Sequence, residues 1–290
     1  MSGKLILRDG DASMCVTARG AEPVAWRVGG QDLLWRGGPE WPRSSPVLFP
    51  IVGRASGDSV RIGGHEYPMP VHGFAAARGF EITKQGPASV RFTLTDDSRS
   101  RNHYPFVFRL DVSYRLQTRS FEAVFEVSNP GGEALPYAIG FHPGFRWPFA
   151  GGKSDRYAVI FDEEESASVP VITRDGLFTE RRRAVPLQGR RLPLSHGLMA
   201  DEALCFLNAR SRRLRFSAPD GVAIAVETEE FSHFALWSRP PAEFLCIEAW
   251  TGYGDPEGYS GELADKPSIT WLEPGMRKCY VMRCRLEKEV

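Results

Sequence analysis

The sequence has no apolar run of about 18 residues, the length that a helix needs to cross a bilayer. Its first residues, MSGKLILRDGDASM, also lack the long apolar core of a signal peptide. These two absences predict a protein that has no membrane partner and resides in the cytoplasm.

A net charge is absent as well, because 36 Lys and Arg are balanced by 36 Asp and Glu. No net field therefore draws the molecule toward nucleic acid or an anionic membrane. We expect the partner to be a small and roughly neutral molecule, with the protein itself a monomer or a homodimer.

Cysteine is scarce: the 290 residues contain five, an odd and scattered set without a CxxC pair. Such a set is typical of reduced thiols and predicts neither disulfides nor a zinc site. The histidines form no HxxxH pair, and no GxxxxGK phosphate loop is present. We therefore expect no metal site.

Sustained helical periodicity is also missing, and 29 glycines and 22 prolines interrupt any helix that starts. The pattern that is present alternates with a period of two residues. It is clearest from Phe106 to Leu116 and resumes, after the turn QTRS, from Phe121 to Val127. Alternation on both sides of a short polar turn predicts a long antiparallel hairpin.

Two further hairpins are predicted from turn residues between alternating segments. LRFSA and VAIAVET flank Pro-Asp-Gly, while SITWL and KCYVMRCRL flank Glu-Pro-Gly. Many strands without alternating helices favour an all-β fold of stacked, mostly antiparallel sheets with few short helices. No low-complexity linker divides the chain, so we predict a single domain over residues 1–290.

His142 is a polar residue inside the apolar run PYAIGFHPGF. Pro143 restricts it to extended backbone at a strand end or turn. Alternation puts the small residues Ala138 and Gly140 on the face of His142, which leaves room for a ligand beside the imidazole. The alternative is a core histidine satisfied by a backbone partner.

Glu248 lies within Phe244–Trp250, a segment that is apolar on both faces and therefore predicted to be buried. Burial of an unpaired charge is costly, so such a carboxyl is paired, protonated or faces a polar cleft. Burial beside Trp250 raises the carboxyl pKa toward neutrality, where a general base works best. The alternative is a buried ion pair with an arginine.

Arg54 and His72 end two more apolar segments, SSPVLFPIVGR and YPMPVHGF, where a strand meets a turn. A rigid β scaffold holds residues at such junctions over a cleft, where both types donate hydrogen bonds to the hydroxyls of a polar ligand. For Arg54, a solvated arginine that closes a strand is the alternative.

Several motifs, taken in order, resemble the aldose 1-epimerase or galactose mutarotase family, in particular its LacX-like and hexose-6-phosphate-epimerase-like branch. They are SSPVLFPIVGR, MPVHGF, YPFVFRLDVSYRL, AIGFHPGF, LCIEAWTGYGDP and DKPSITWLEPG, which spread over most of residues 44–286. The resemblance implies a β-supersandwich fold, a cofactor-independent isomerase and an aldose sugar as its partner.

The resemblance also implies residue roles. It makes His142 the general acid, Glu248 the general base, Arg54 and His72 sugar-binding residues, and Asp201 in ADEALCF the substrate-binding carboxylate. Glu202 stands beside Asp201, so an alignment shift of one residue would select it instead.

Such an enzyme interconverts anomers by opening the sugar ring. The carboxylate takes the proton of the anomeric hydroxyl while the imidazolium protonates the ring oxygen. Reference pKa values of about 4.3 and 6.5 put both groups in these states just below neutrality, and we expect burial to widen that window. Trp250, Phe141 and Phe74 are candidates for stacking on the sugar, although such aromatics more often belong to the core.

Three other functions stay open. A non-catalytic carbohydrate-binding or sugar-sensing protein of the same fold needs the cleft but not the acid and base together. A purely structural β-sandwich needs neither. Within the enzyme hypothesis, the substrate is either a free hexose or its 6-phosphate, for which Arg78 and nearby basic residues are candidates.

Overall fold

The computed structural model describes residues 3–288, which form β-strands, one short α-helix and a few 3₁₀ turns. The strands are β1 Lys4–Asp9, β2 Ala12–Thr17, β3 Glu22–Val28, β4 Gln31–Asp32, β5 Val47–Leu48, β6 Ser59–Ile62, β7 His65–Pro68, β8 Glu81–Gln85, β9 Ser89–Thr95, β10 Arg109–Gln117, β11 Ser120–Ser128, β12 Leu135–Tyr137, β13 Gly140–Phe141, β14 Gly144–Arg146, β15 Ala158–Phe161, β16 Ser168–Ile172, β17 Phe178–Ala184, β18 Arg191–Pro193, β19 Leu204–Phe206, β20 Arg213–Ser217, β21 Val222–Glu229, β22 His233–Trp237, β23 Phe244–Trp250, β24 Thr270–Leu272 and β25 Arg277–Lys288. The helix α1 spans Ser98–Arg101, and the 3₁₀ turns span Ser56–Asp58, Ala75–Ala77, Ser154–Arg156, His196–Met199 and Leu263–Asp265.

The long hairpin predicted from alternation is β10 paired with β11. Leu110 lies opposite Val127 and Val112 lies opposite Phe125. Inward residues of both strands are buried and their outward neighbours are exposed or partly exposed, because successive side chains point to opposite faces; the exception is Asp111, which is buried and pairs with Arg91 and Arg109. The first strand begins at Arg109, so the earlier part of the predicted strand is an irregular but apolar approach to it.

Two large sheets pack face to face. The first has nine strands in the order β18, β15, β20, β21, β25, β11, β10, β9, β8, and the second contains β19, β22, β23, β13 and β5 with β14 also paired to β23. Their inner faces meet in aromatic contacts, with ring centroids 5.2 Å apart for Phe125 and Phe141 and 4.9 Å apart for Phe161 and Phe206. The predicted stack of antiparallel sheets is confirmed.

A third sheet, β1 to β4, packs on the edge of this core. Trp26 on β3 is fully buried and meets Phe121 of β11 edge to face at 4.9 Å. The chain that follows β4 then crosses to the second sheet, where Leu34 bridges Phe145. This crossing brings residues 35–46 next to β14 and β23.

Of the two shorter hairpins, one is confirmed and one is wrong. Strands β20 and β21 pair across Pro-Asp-Gly as predicted. Strand β24 instead pairs with β12, because most of β25 is already paired, with β11 along one edge and with β21 from Val281 onward along the other. The Glu-Pro-Gly turn is held from outside the expected hairpin, since the Gly275 N–H donates to the Asn129 carbonyl at 2.8 Å.

The prediction of few short helices is confirmed over residues 3–288. None of the helices in this range has the length and apolarity that a membrane crossing requires.

Candidate active site

The candidate site lies on the face of the second sheet that points away from the main core. On β23, Leu245, Ile247 and Ala249 enter the main core, so the alternate residues face the other way. Those alternate residues are Phe244, Cys246, Glu248 and Trp250. All seven residues of the strand are buried, as its apolar character on both faces predicted.

Strand register brings His142 next to Glu248. Gly140 pairs with Trp250 on one side of the histidine, and Gly144 pairs with Cys246 on the other side. His142 and Pro143 lie between these two paired segments, and the same antiparallel register places His142 opposite Glu248. Pro143 interrupts the hydrogen-bond ladder because it has no N–H, but its carbonyl still accepts from the Ile247 N–H at 3.1 Å.

A cavity of about 790 Å³ opens over this face. All five residues singled out from the sequence line it: Arg54, His72, His142, Asp201 and Glu248. Its volume is within the usual range for small-molecule sites, about 300–1,000 Å³. Residues separated by nearly two hundred positions in the chain thus share one compartment.

The imidazole and the carboxyl are side by side on one wall of the cavity. His142 Nε2 is 3.3 Å from Glu248 Oε1, and both side chains are buried. The other carboxyl oxygen, Oε2, accepts a hydrogen bond from the Trp250 indole N–H at 3.0 Å. The partner of the buried carboxyl is therefore a histidine rather than the arginine considered as an alternative.

Burial shifts the pKa values of the two groups in opposite directions. It raises the Glu248 pKa well above the usual 4.5, and the hydrogen bond from Trp250 lowers that pKa by a smaller amount. It lowers the His142 pKa well below 6.5, helped by the nearby His72. The raised carboxyl pKa is as predicted. The expected widening is wrong, because burial penalises the charged form of each group and so disfavours the carboxylate–imidazolium state.

His72 is held in a single tautomer. Its Nδ1 accepts a hydrogen bond from the Gly53 N–H at 3.0 Å, so in the neutral ring the proton is on Nε2. Burial, and secondarily Arg54, lowers the His72 pKa to about 4, which keeps the ring neutral at physiological pH. The ring meets His142 edge to face, with centroids 5.7 Å apart.

Charged residues surround the open side of the cavity. Arg54 pairs with Asp58 and is partly exposed. Asp201 is exposed, whereas Glu202 beside it is half-buried. Burial raises the Glu202 pKa, although the positive charges of Arg183, Arg239 and Arg54 lower it by a smaller amount. Both carboxyls line the cavity, so the choice between Asp201 and Glu202 as the binding carboxylate stays open.

Two aromatic residues of the site were missed in the sequence. Trp41 and Trp237 line the cavity and contact the His142 ring, with centroids at 5.0 and 5.8 Å. No period or motif marks Trp41, because it belongs to the irregular segment after β4.

Three residues considered from the sequence for sugar or phosphate contacts lie elsewhere. Phe74 and Phe141 are in the main core, which corrects their suggested stacking on the sugar, while Trp250 does line the cavity. Arg78 pairs with Asp97 and is not among the residues that line the cavity. It is therefore not placed to bind a sugar phosphate there.

Comparison with known proteins agrees with this architecture. Residues 4–254 match the sequence profile of the aldose 1-epimerase family. The plasmid and chromosomal LacX proteins of Lactococcus lactis subsp. lactis are each 31% identical over 258 residues, covering 84% of this chain and 86% of the relative.

Solved structures give the same result. A galactose mutarotase related enzyme from Lactobacillus acidophilus superposes with a TM-score of 0.91 at 26% identity, covering 99% of this chain and 98% of the other. A galactose mutarotase-like protein from Lactobacillus casei has the same TM-score and identity, with 98% and 100% coverage. The fold is galactose mutarotase-like, and the chain belongs to the aldose 1-epimerase family.

Proposed function

We propose that this protein interconverts the α and β anomers of an aldohexose, with Glu248 as general base and His142 as general acid. The observation that carries the proposal is the 3.3 Å contact between His142 Nε2 and Glu248 Oε1 on the wall of a cavity large enough for a sugar. The ring oxygen and the anomeric hydroxyl are bonded to the same carbon. The adjacent imidazole of His142 and carboxyl of Glu248 are therefore able to exchange protons with both oxygens at once.

The reaction conserves every atom of the sugar. Glu248 as carboxylate takes the proton of the anomeric hydroxyl, and protonated His142 gives a proton to the ring oxygen while the bond from that oxygen to the anomeric carbon breaks. Rotation about the adjacent carbon–carbon bond exposes the other face of the aldehyde. Ring closure with both transfers reversed gives the opposite anomer and restores the starting protonation of the pair.

The pKa shifts define the resting state of the pair. Because burial raises the Glu248 pKa and lowers that of His142, the empty site favours the proton on the carboxyl. The reactive state needs that proton on the imidazole. Sugar hydroxyls that hydrogen-bond to the carboxylate favour its charged form, so we expect substrate binding to promote this transfer.

A pH profile tests this resting state, in which Glu248 carries the proton and His142 is neutral. We expect kcat/KM to fall on the acidic side as the pair gains a second proton at the lowered His142 pKa, and on the basic side as it loses its last proton at the raised Glu248 pKa. Between these limbs the pair holds one proton and the rate is constant. An acidic limb centred at the ordinary histidine value of 6.5 contradicts the proposed resting state.

A phosphorylated hexose is the second candidate substrate. Arg174 and Arg239 are exposed and line the cavity together with Arg54. Guanidinium groups bind phosphate oxygens through paired, charge-assisted hydrogen bonds. Because these arginines are at least partly exposed whereas the acid and base are buried, they suit a phosphate carried on an end of the sugar that faces solvent.

Polarimetry separates these possibilities. Freshly dissolved α-glucose, α-galactose and their 6-phosphates are followed as they equilibrate, with His142→Ala and Glu248→Gln as controls. Acceleration of the phosphates alone identifies a hexose-6-phosphate mutarotase. Tight sugar binding without acceleration identifies a carbohydrate-binding or sugar-sensing protein, and equal rates with and without protein on every sugar refute the enzyme proposal.

A further inference from the structure

The His142 ring lacks the hydrogen bond that usually fixes a catalytic histidine. Its Nδ1 is buried and has no hydrogen-bond partner on another residue within residues 3–288, although a weak interaction with the backbone of His142 itself slightly raises the His142 pKa. In most such sites this nitrogen donates to a carbonyl or carboxylate, which sets the tautomer and the plane of the ring. Besides the contact of Nε2 with Glu248 Oε1, the imidazole is held in line with the sugar by contacts with neighbouring rings.

Trp41 covers one face of the imidazole. The two rings are stacked, with centroids 5.0 Å apart and planes inclined by 25°. Trp237 and His72 meet the imidazole edge to face, at 87° and 82°. The three contacts enclose the ring, and the stacked indole is the one that defines its plane.

Hydrogen bonds to the Trp41 backbone and the space over a glycine fix the position of the indole. The Trp35 indole N–H and the Gly38 N–H both donate to the Trp41 carbonyl at 3.0 Å. The indole lies in the space over Gly144, where an added Cβ would be 2.6 Å from Trp41 Cζ3. Gly144 follows His142 by two residues, so the motif that carries the histidine also makes room for the ring that covers it.

A buried carboxylate anchors the chain just beyond Trp41. Glu22 on β3 accepts hydrogen bonds from the Ser44 and Ser45 N–H groups at 2.7 and 3.1 Å. The Ser44 carbonyl in turn accepts from the Gly144 N–H at 2.8 Å. The segment carrying Trp41 is therefore tied both to the third sheet and to the strand beside His142.

The indole also bears on the charge of the imidazole. The titratable groups that face His142 are Glu248, with Cys246 beside it on β23, and His72 in the turn after β7. Glu248 as carboxylate is the one group among them that attracts the imidazolium. A stacked indole adds the attraction of its π face for a cation, which partly offsets the cost of burial.

We propose that Trp41 is a positioning residue for His142, whose stacked indole holds the imidazole plane and stabilises its protonated form. The expected effect on kcat rests on the proposed function. The fixing of the imidazole ring by stacking, where a hydrogen bond to another residue is missing, is measurable without any turnover.

The kinetic test compares Trp41→Phe, which keeps an aromatic face, with Trp41→Leu, which removes it. From the strength of such contacts we expect Trp41→Leu to lower kcat by about 2- to 30-fold with little change in KM, and Trp41→Phe to retain most of the rate. Gly144→Ala is expected to behave like Trp41→Leu, because its new methyl group displaces the indole. The exposed Trp271→Leu is the matched control and should leave kcat unchanged.

Ring ¹⁵N shifts of His142 give the independent readout at neutral pH. We expect matching His142 shifts in the wild type and in Trp41→Phe, and shifts closer to those of a solvated, freely turning imidazole in Trp41→Leu, because loss of the stacked ring exposes Nδ1 to water. Identical His142 shifts in the wild type and in Trp41→Leu, or equal losses of kcat in Phe and Leu variants, overturn the inference. A wild type without mutarotase activity instead defeats the proposed function, and the ¹⁵N comparison still decides the role of Trp41.

Discussion

Glu248→Gln is expected to lower kcat for anomer exchange by about 10²- to 10⁴-fold, the usual contribution of one general acid or base. Glutamine has the shape of glutamate, and its carbonyl is able to accept the Trp250 hydrogen bond that Glu248 Oε2 accepts. It is unable to take a proton from the anomeric hydroxyl. Sugar affinity, measured by calorimetry, should change far less than kcat, measured by polarimetry.

The His142 variant completes this test. If the two residues act as a unit, His142→Ala, Glu248→Gln and the double variant should have similar residual rates, because removing either partner already abolishes the paired transfer. Losses that multiply in the double variant contradict a shared reaction step. A Glu248→Gln protein with wild-type kcat eliminates the carboxyl as the base.

Lys266→Met is expected to lower the free energy of unfolding by about 3–5 kcal/mol, the cost of leaving one member of a buried ion pair alone. Lys266 Nζ is 2.7 Å from Asp255 Oδ1, and both side chains are buried. The other carboxylate oxygen accepts from the Ser56 N–H at 2.8 Å, and the Asp255 N–H donates to the Arg54 carbonyl at 2.8 Å. The pair thus supports the segment that presents Arg54 to the cavity.

Urea unfolding measures this cost. Lys278→Met removes the partly exposed partner of the exposed Glu230 and should cost less than about 1 kcal/mol. Adding Asp255→Asn to Lys266→Met should recover part of the loss, because the remaining side chain is then neutral and still able to accept from Ser56. A Lys266→Met protein as stable as Lys278→Met contradicts the role given to the pair.

Much of the fold was predictable because a strand that is buried on one face alternates apolar and polar residues in its sequence. Strands β10 and β11 alternate cleanly, and β20 and β21 flank a turn of defined chemistry. The partner of β24 was not predictable in this way. Its pairing with β12 depends on which edges are already occupied in the assembled sheets, and no local pattern records that.

The acid–base candidates were predictable for a related reason: a histidine and a glutamate inside buried apolar strands are costly and therefore conspicuous. Their mutual placement, with His142 between β13 and β14 and opposite Glu248 on β23, depends on register and became visible only in the structure. Trp41 was missed because its position beside His142 depends on a crossing between sheets. The direction of the pKa shifts was partly misjudged, because burial acts against the charged forms of both partners together.

The central claim, that the His142–Glu248 pair opens the sugar ring, is tested most directly by NMR exchange spectroscopy at anomeric equilibrium. Cross peaks between the α and β H1 signals report interconversion without any net reaction. We expect strong cross peaks for at least one hexose or hexose 6-phosphate with the wild type, and their loss with the folded Glu248→Gln and His142→Ala variants. Cross peaks of equal strength in wild type and variants, or none in the wild type, would contradict it.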